Sequence, residues 1–100
     1  MVKEVIHPGE FLADELEEIG ITRTELARQI DVPPNRISQL IRGKRDLTAD
    51  TALRLGQFFG AGSELWMNLQ KTYELDKARI ALGNQIGKIN PWRPKEEIRA

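Results

Sequence analysis

Asn35, Arg36, Ser38 and Gln39 put two carboxamides, a guanidinium and a hydroxyl within one short stretch of chain. These groups match flat polar ring edges: a carboxamide pairs bidentately with adenine and a guanidinium with guanine. Pro34 precedes them, Arg42, Lys44 and Arg45 follow, and Arg23 lies upstream. No acidic residue occurs from Val32 to Arg45. The chemistry this suggests is recognition of an anionic, base-bearing polymer.

Catalysis has little material to work with. His7 is the single histidine and cysteine is absent, so neither a zinc site nor a disulfide can be assembled. Nothing has the form of a Ser/His/Asp constellation or a phosphate loop. Glu17 and Glu18 are neighbours on a helix and do not face each other. His7 next to Pro8 reads as a helix cap or a surface residue. The expectation is no enzymatic activity, no cofactor and no metal.

To gather the polar set on one face, the chain needs a helix held on a tight turn. Thr22 and Glu25 have the spacing of a capping box, which opens a helix from about Arg23 to Ile30 with Leu26, Ala27 and Ile30 inward. Asp31-Val32-Pro33 ends it, because a helix crossing Pro33-Pro34 would lose two donors. The next helix starts at Pro33 or Pro34 and runs to about Arg42, with Ile37, Leu40 and Ile41 inward and Gly43 as its stop. Two helices in this order form a helix-turn-helix, whose second helix enters the DNA major groove. Pro34, Asn35, Arg36, Ser38 and Gln39 then face base edges. Arg23, Arg42, Lys44 and Arg45 are placed for phosphates, and Gly43 allows a close backbone approach. The plain alternative is a solvated polar helix face.

The flanking segments supply support. A first helix opens at Pro8 and Glu10, turns Phe11, Leu12, Leu16 and Ile19 inward and ends at Gly20. A fourth starts at Leu47-Thr48, with Ala52, Leu53, Leu55, Gly56 and Phe59 inward and Gly60 and Gly62 at its end. Ser63 is expected to cap a fifth, with Leu65, Trp66, Leu69 and Tyr73 as its stripe. Phe58 and Phe59 cannot both point inward, which leaves one for a subunit interface. No period-two strand pattern occurs. The fold class expected is all-α: a five-helix domain over residues 1–74, then a C-terminal helical extension and charged, mobile tail over residues 75–100. In that extension Leu75, Leu82 and Ile89 stand at heptad spacing and Ala78 and Ile86 widen the stripe. Gly83 and Gly87 interrupt it and Pro91 stops it. The stripe is either a dimer contact or cover for the core.

One hundred residues, 40% of them apolar, fit one domain with a small core. No apolar run reaches the ~20 residues of a membrane span, and the first residues lack a signal peptide's apolar stretch. A cytoplasmic protein without membrane attachment is expected. Net charge is zero, but residues 1–22 hold one basic and six acidic side chains, while residues 23–54 hold seven basic and four acidic. An anionic partner would meet the second region and avoid the first.

Three blocks carry a family likeness. HPGEFLADELEEIGIT, the helix-turn-helix followed by GKRDLTADTALRLGQFFG, and SELWMNLQKTYEL together resemble the HigA-type antitoxins, also called VapI-like, of the wider Xre/lambda-repressor-like fold. The likeness spans roughly residues 6–90. It implies the antidote half of a type II toxin–antitoxin pair, partnered by a small basic HigB/RelE-like toxin that cuts mRNA. It also implies repression of the shared operon by a homodimer on double-stranded operator DNA, with Pro34, Asn35, Arg36, Ser38 and Gln39 in the recognition helix. Pro33-Pro34 stands where many relatives have a capping Ser or Thr. Few residues follow Asn90, so toxin binding is expected on folded surface, with the acidic face of Glu10, Asp14, Glu15, Glu17 and Glu18 as the first choice. The alternatives are a free-standing repressor of the same fold and a helical adaptor that binds protein only.

Overall fold

The structure, a computed structural model, describes residues 5–60 and 62–94. The tail expected beyond residue 94 lies outside them. Five α-helices occur among the described residues: α1 (Pro8–Ile19), α2 (Arg23–Gln29), α3 (Pro34–Ile41), α4 (Ala49–Phe59) and α5 (Ser63–Leu82). A short 3-10 helix follows over Gly83–Lys88. No strand occurs among the described residues.

The helix boundaries follow from local chemistry. Thr22 caps α2 through its Oγ1, which accepts from the Glu25 amide at 3.0 Å. The expected capping box is only half formed, since the Glu25 carboxylate bonds Arg28 and Gln29 instead. The reciprocal box occurs on α1, where His7 Nδ1 accepts from Gly9 N–H (2.9 Å) and Glu10 Oε2 accepts from His7 N–H (3.2 Å). Pro34 takes the first position of α3, where a missing N–H is harmless, and Pro33 caps it with no side-chain hydrogen bond. Ser63 is the first residue of α5 rather than its cap; Gly62 occupies that place without a side-chain bond.

The core joins all five helices. Leu12 and Leu16 of α1, Leu26 and Ala27 of α2, Ile37 and Leu40 of α3, Ala52 and Leu55 of α4 and Trp66 of α5 are buried together with Ile30, Val32 and Leu47. Phe11 and Phe59 pack on Trp66 at centroid distances of 5.2 and 5.7 Å. Three residues assigned inward do not belong to this core: Ile19 and Leu65 are about half exposed and Leu53 is 63% exposed, whereas Ile41 packs partly buried against it. On α4 the inward arc is Ala52, Leu55, Gly56 and Phe59, and at 100° per residue Leu53 falls on its flank.

Past Asp76 every residue through Arg93 is exposed. The extension is not a separate helix: α5 runs unbroken to Leu82 before the 3-10 turn. Nor does its stripe cover this chain's core, since Leu75, Ile80, Leu82, Ile86, Ile89 and Trp92 are all solvent-facing. The projecting arm gives the chain a long axis of 63 Å against 28 and 22 Å.

The turn between α2 and α3 closes through two backbone bonds, Val32 N–H to the Ala27 carbonyl (3.0 Å) and Asp31 N–H to the Arg28 carbonyl (3.3 Å). This is the Schellman pattern, which needs a left-handed residue, and Asp31 supplies it with φ 59°. A branched Cβ is poorly tolerated there. Asp31→Val is expected to lower the unfolding free energy by about 1–2 kcal/mol in denaturant titrations, whereas Asp31→Gly keeps the turn.

His7 ties α1 to the region after α3. It is 6% exposed, so it is a cap and not a surface residue. Its ring meets Tyr73 of α5 edge-on at 4.7 Å and lies against Gly43. Since Nδ1 accepts from Gly9, the ring proton sits on Nε2, which is buried and faces the Arg45 backbone without a formed hydrogen bond. Burial lowers the imidazole pKa below its ordinary 6.5, outweighing the opposing pull of the Arg45 backbone, Asp46 and Glu10; Lys77 adds to the lowering. The unfolded chain therefore takes up a proton that the folded domain refuses. Stability from this group is complete above pH 6.5 and is lost as pH falls below it. Thermal melts between pH 7.5 and 5.5 are expected to show that decline. His7→Asn, a cap that does not titrate, should flatten it while lowering the whole curve.

Candidate nucleic-acid interface

The polar set sits on α3 and the loop behind it. Pro34 and Asn35 are exposed at the helix start, and Arg36, Ser38 and Gln39 are partly exposed along the same helix. Arg42, Lys44 and Arg45 are exposed just beyond it. Arg23 opens α2 and lines a groove with Thr24 and with Ile41 of α3, so it borders the far end of the recognition helix. Ile37 and Leu40 anchor the opposite face in the core. A second Schellman turn ends α3: Lys44 N–H donates to the Gln39 carbonyl (2.8 Å) and Gly43 N–H to the Leu40 carbonyl (3.0 Å), with Gly43 at φ 72°. The chain reverses there and the basic loop comes back beside the helix.

Three of the candidate residues, Arg36, Gln39 and Arg45, are already engaged. Arg36 Nη1 donates to Asp50 Oδ1 at 3.1 Å, and Asp50 also accepts from Arg54 Nε at 2.8 Å. The Arg54 hydrogen bond, with Arg36 adding to it, holds the Asp50 carboxyl below the usual carboxylate range. Arg54 Nη1 reaches the carbonyls of Ile30 (2.8 Å) and Asp31 (3.2 Å), so α4 is bonded to the turn that aims α3. Gln39 Oε1 accepts from both Nε and Nη2 of Arg45, at 3.0 and 2.8 Å.

The sequence reading missed three supports of this surface. Asp50 and Arg54 stand four apart on α4, a spacing that signals a helical ion pair but not its reach to α2 and α3. Gln70 is 2% exposed; its Oε1 accepts from the Leu47 amide (2.8 Å) and its Nε2 donates to Glu74 (2.7 Å). It thereby clamps the loop between α3 and α4 onto α5. Gly9 packs against the end of α3 so tightly that a Cβ would stand 1.9 Å from the Leu40 carbonyl oxygen.

A polar helix presented on a closed two-helix turn, buttressed by α1, α4 and α5, defines the helix-turn-helix class with an all-α lambda-repressor-like fold. The family profile described as helix-turn-helix matches residues 12–66. Virulence-associated protein I of Dichelobacter nodosus is 45% identical over 73% of this chain and 68% of its own length. An addiction module antidote protein of a HigA family from Coxiella burnetii has a solved structure with TM-score 0.86 and 40% identity, covering 90% of this chain and 100% of that one. The Pseudomonas aeruginosa antitoxin HigA, solved with the higBA promoter, aligns with TM-score 0.83 and 41% identity over 90% of this chain and 100% of its own. The chain belongs to the HigA-type antitoxins of the helix-turn-helix family.

No helix among the described residues is long and apolar enough to cross a membrane, and no cluster there could hold a metal ion.

Proposed function

We propose that this protein is a cytoplasmic antitoxin and autorepressor, without enzymatic activity, which binds its operator and neutralises a HigB/RelE-like toxin. The observation that carries the DNA reading is the exposed face of α3, with Pro34, Asn35, Arg36, Ser38 and Gln39 beside the basic residues Arg42, Lys44 and Arg45. Arg23, Arg42 and Lys44 make up the phosphate-facing border, while Arg45 is turned onto Gln39. The solution of a relative with its promoter supports this reading.

Two copies act together. The exposed Leu75, Ile80, Leu82, Ile86, Ile89 and Trp92 are too apolar for a free surface and support a homodimer contact made by the extension that begins at Leu75. Residues 1–74 form the reading unit. A dimer presents two recognition helices about 34–36 Å apart, one turn of B-DNA, and so requires an inverted-repeat operator. The exposed Glu10, Asp14, Glu17 and Glu18 on α1 offer a basic toxin an acidic landing surface, with the partly buried Glu15 among them.

A competitive mobility shift on the chain's own promoter tests the DNA reading. Arg36→Ala is expected to weaken specific binding about tenfold while leaving retention of scrambled DNA unchanged. Equal loss on both DNAs, or no loss on either, would reassign α3. Co-purification with the product of an adjacent basic reading frame separates an antitoxin from a free-standing repressor.

A further inference from the structure

Arginine carries donors only, so the contact with Arg45 fixes which end of the Gln39 amide faces it. The amide oxygen is occupied by Nε and Nη2 of Arg45, and among the described residues the Gln39 amide nitrogen makes no hydrogen bond within the protein. The pairing is built by the backbone. The Lys44-to-Gln39 bond and the left-handed Gly43 reverse the chain, which returns Arg45 alongside the residue six positions earlier. The same guanidinium edge that would straddle a phosphate is the one engaged by Gln39.

We infer that Arg45 is a positioning residue that makes Gln39 read bases as a hydrogen-bond donor, so that the helix selects guanine over adenine at the base pair Gln39 meets. This deepens the proposed operator reading and rests on it. Bidentate pairing with adenine needs a free amide oxygen to accept from N6 and an amide nitrogen to donate to N7. Guanine presents two acceptors, N7 and O6, which the free NH2 group can serve alone. Because the pair is formed before DNA arrives, the amide enters the groove already oriented.

The test is a competition mobility shift on every single-base-pair variant of the operator, over a salt series. It compares the unsubstituted protein with Gln39→Ala, Arg45→Leu and Lys44→Leu. The base pair whose preference vanishes in Gln39→Ala is the one this residue reads. There the unsubstituted protein should favour guanine over adenine by about tenfold, and Arg45→Leu should cut that preference to within about twofold. Arg45→Leu should keep the preferences at other positions and the salt slope, as a phosphate ligand would not. Lys44→Leu should instead weaken all sequences alike and lower the salt slope by about 1. An adenine preference at that pair overturns the inference. So does a Gln39→Ala profile with no position changed, or an Arg45→Leu profile that matches Lys44→Leu. Absence of any sequence preference in the unsubstituted protein is a different failure, one that removes the operator reading itself.

Discussion

Gly9→Ala is expected to lower the unfolding free energy by about 3 kcal/mol, the upper end of the usual range for overpacking. A domain of this size loses roughly 4–8 °C per kcal/mol, so the melting midpoint should fall by about 12–24 °C. The reason is the identity of the atoms in the way. The added methyl would meet the Leu40 carbonyl oxygen at 1.9 Å, its carbon at 2.7 Å and Ile41 Cα at 2.9 Å, all of them backbone. No side-chain rotation relieves such a clash, so α1 must lift from the end of α3. His7 caps α1 two residues earlier, and its ring also rests on Tyr73, so the displacement would open that contact as well. An alanine in the interior of a helix normally stabilises relative to glycine by roughly 0.5–1 kcal/mol, which gives the experiment a sign to decide. Circular-dichroism melts and denaturant titrations measure it directly; a neutral or stabilised variant would mean that α1 and α3 are not this close.

Gly9 also marks where the sequence stopped being legible. Helix ends could be read because their chemistry is local: Pro8, Gly20, Thr22, Pro33-Pro34, Gly43, Thr48 and Gly60 each act on their own turn. The helix-turn-helix followed, since the polar residues of α3 alternate with Ile37, Leu40 and the half-buried Ile41 at helical spacing. Contacts between elements left no such trace. Nothing near Gly9 announces the Leu40 carbonyl, and nothing near Gln39 announces Arg45. Leu53 reads as core because it is leucine on an amphipathic helix, yet it lines an open groove with Ile30 and Phe58. The heptad spacing of Leu75, Leu82 and Ile89 marks residues that are apolar and exposed, but the α-helix stops at Leu82, short of Ile89, and periodicity cannot say which molecule covers them. The three family blocks fare better for a physical reason. His-Pro-Gly-Glu holds the cap and the close approach, and Trp66 through Gln70 holds the core aromatic and the loop clamp.

Gln70→Leu is expected to cost about 2 kcal/mol, even though leucine fits the volume and is more apolar. Leu47 is itself buried, and its amide would lose the acceptor it has among the described residues, the Gln70 oxygen at 2.8 Å. An orphaned buried donor carries its full desolvation penalty, which exceeds what an extra apolar contact returns. Gln70→Glu separates the two bonds this side chain makes. A carboxylate can still accept from Leu47, but it can no longer donate to Glu74, whose oxygen lies 2.7 Å from the amide nitrogen. Two carboxylates at that distance raise the pKa of the pair, so the folded state binds a proton that the unfolded chain releases. The variant's deficit relative to the unsubstituted protein should therefore shrink as pH falls from 7.5 towards 5.5, while the Gln70→Leu deficit stays constant. A constant deficit in both would place the whole effect on the Leu47 amide. The consequence reaches the recognition surface, because the clamped segment leads directly from Lys44 and Arg45 into α4. Measured in the cold, where it remains folded, Gln70→Leu should weaken specific DNA binding more than binding to scrambled DNA. Loosening the loop would disturb the pairing of Arg45 with Gln39 without removing any charge from the surface.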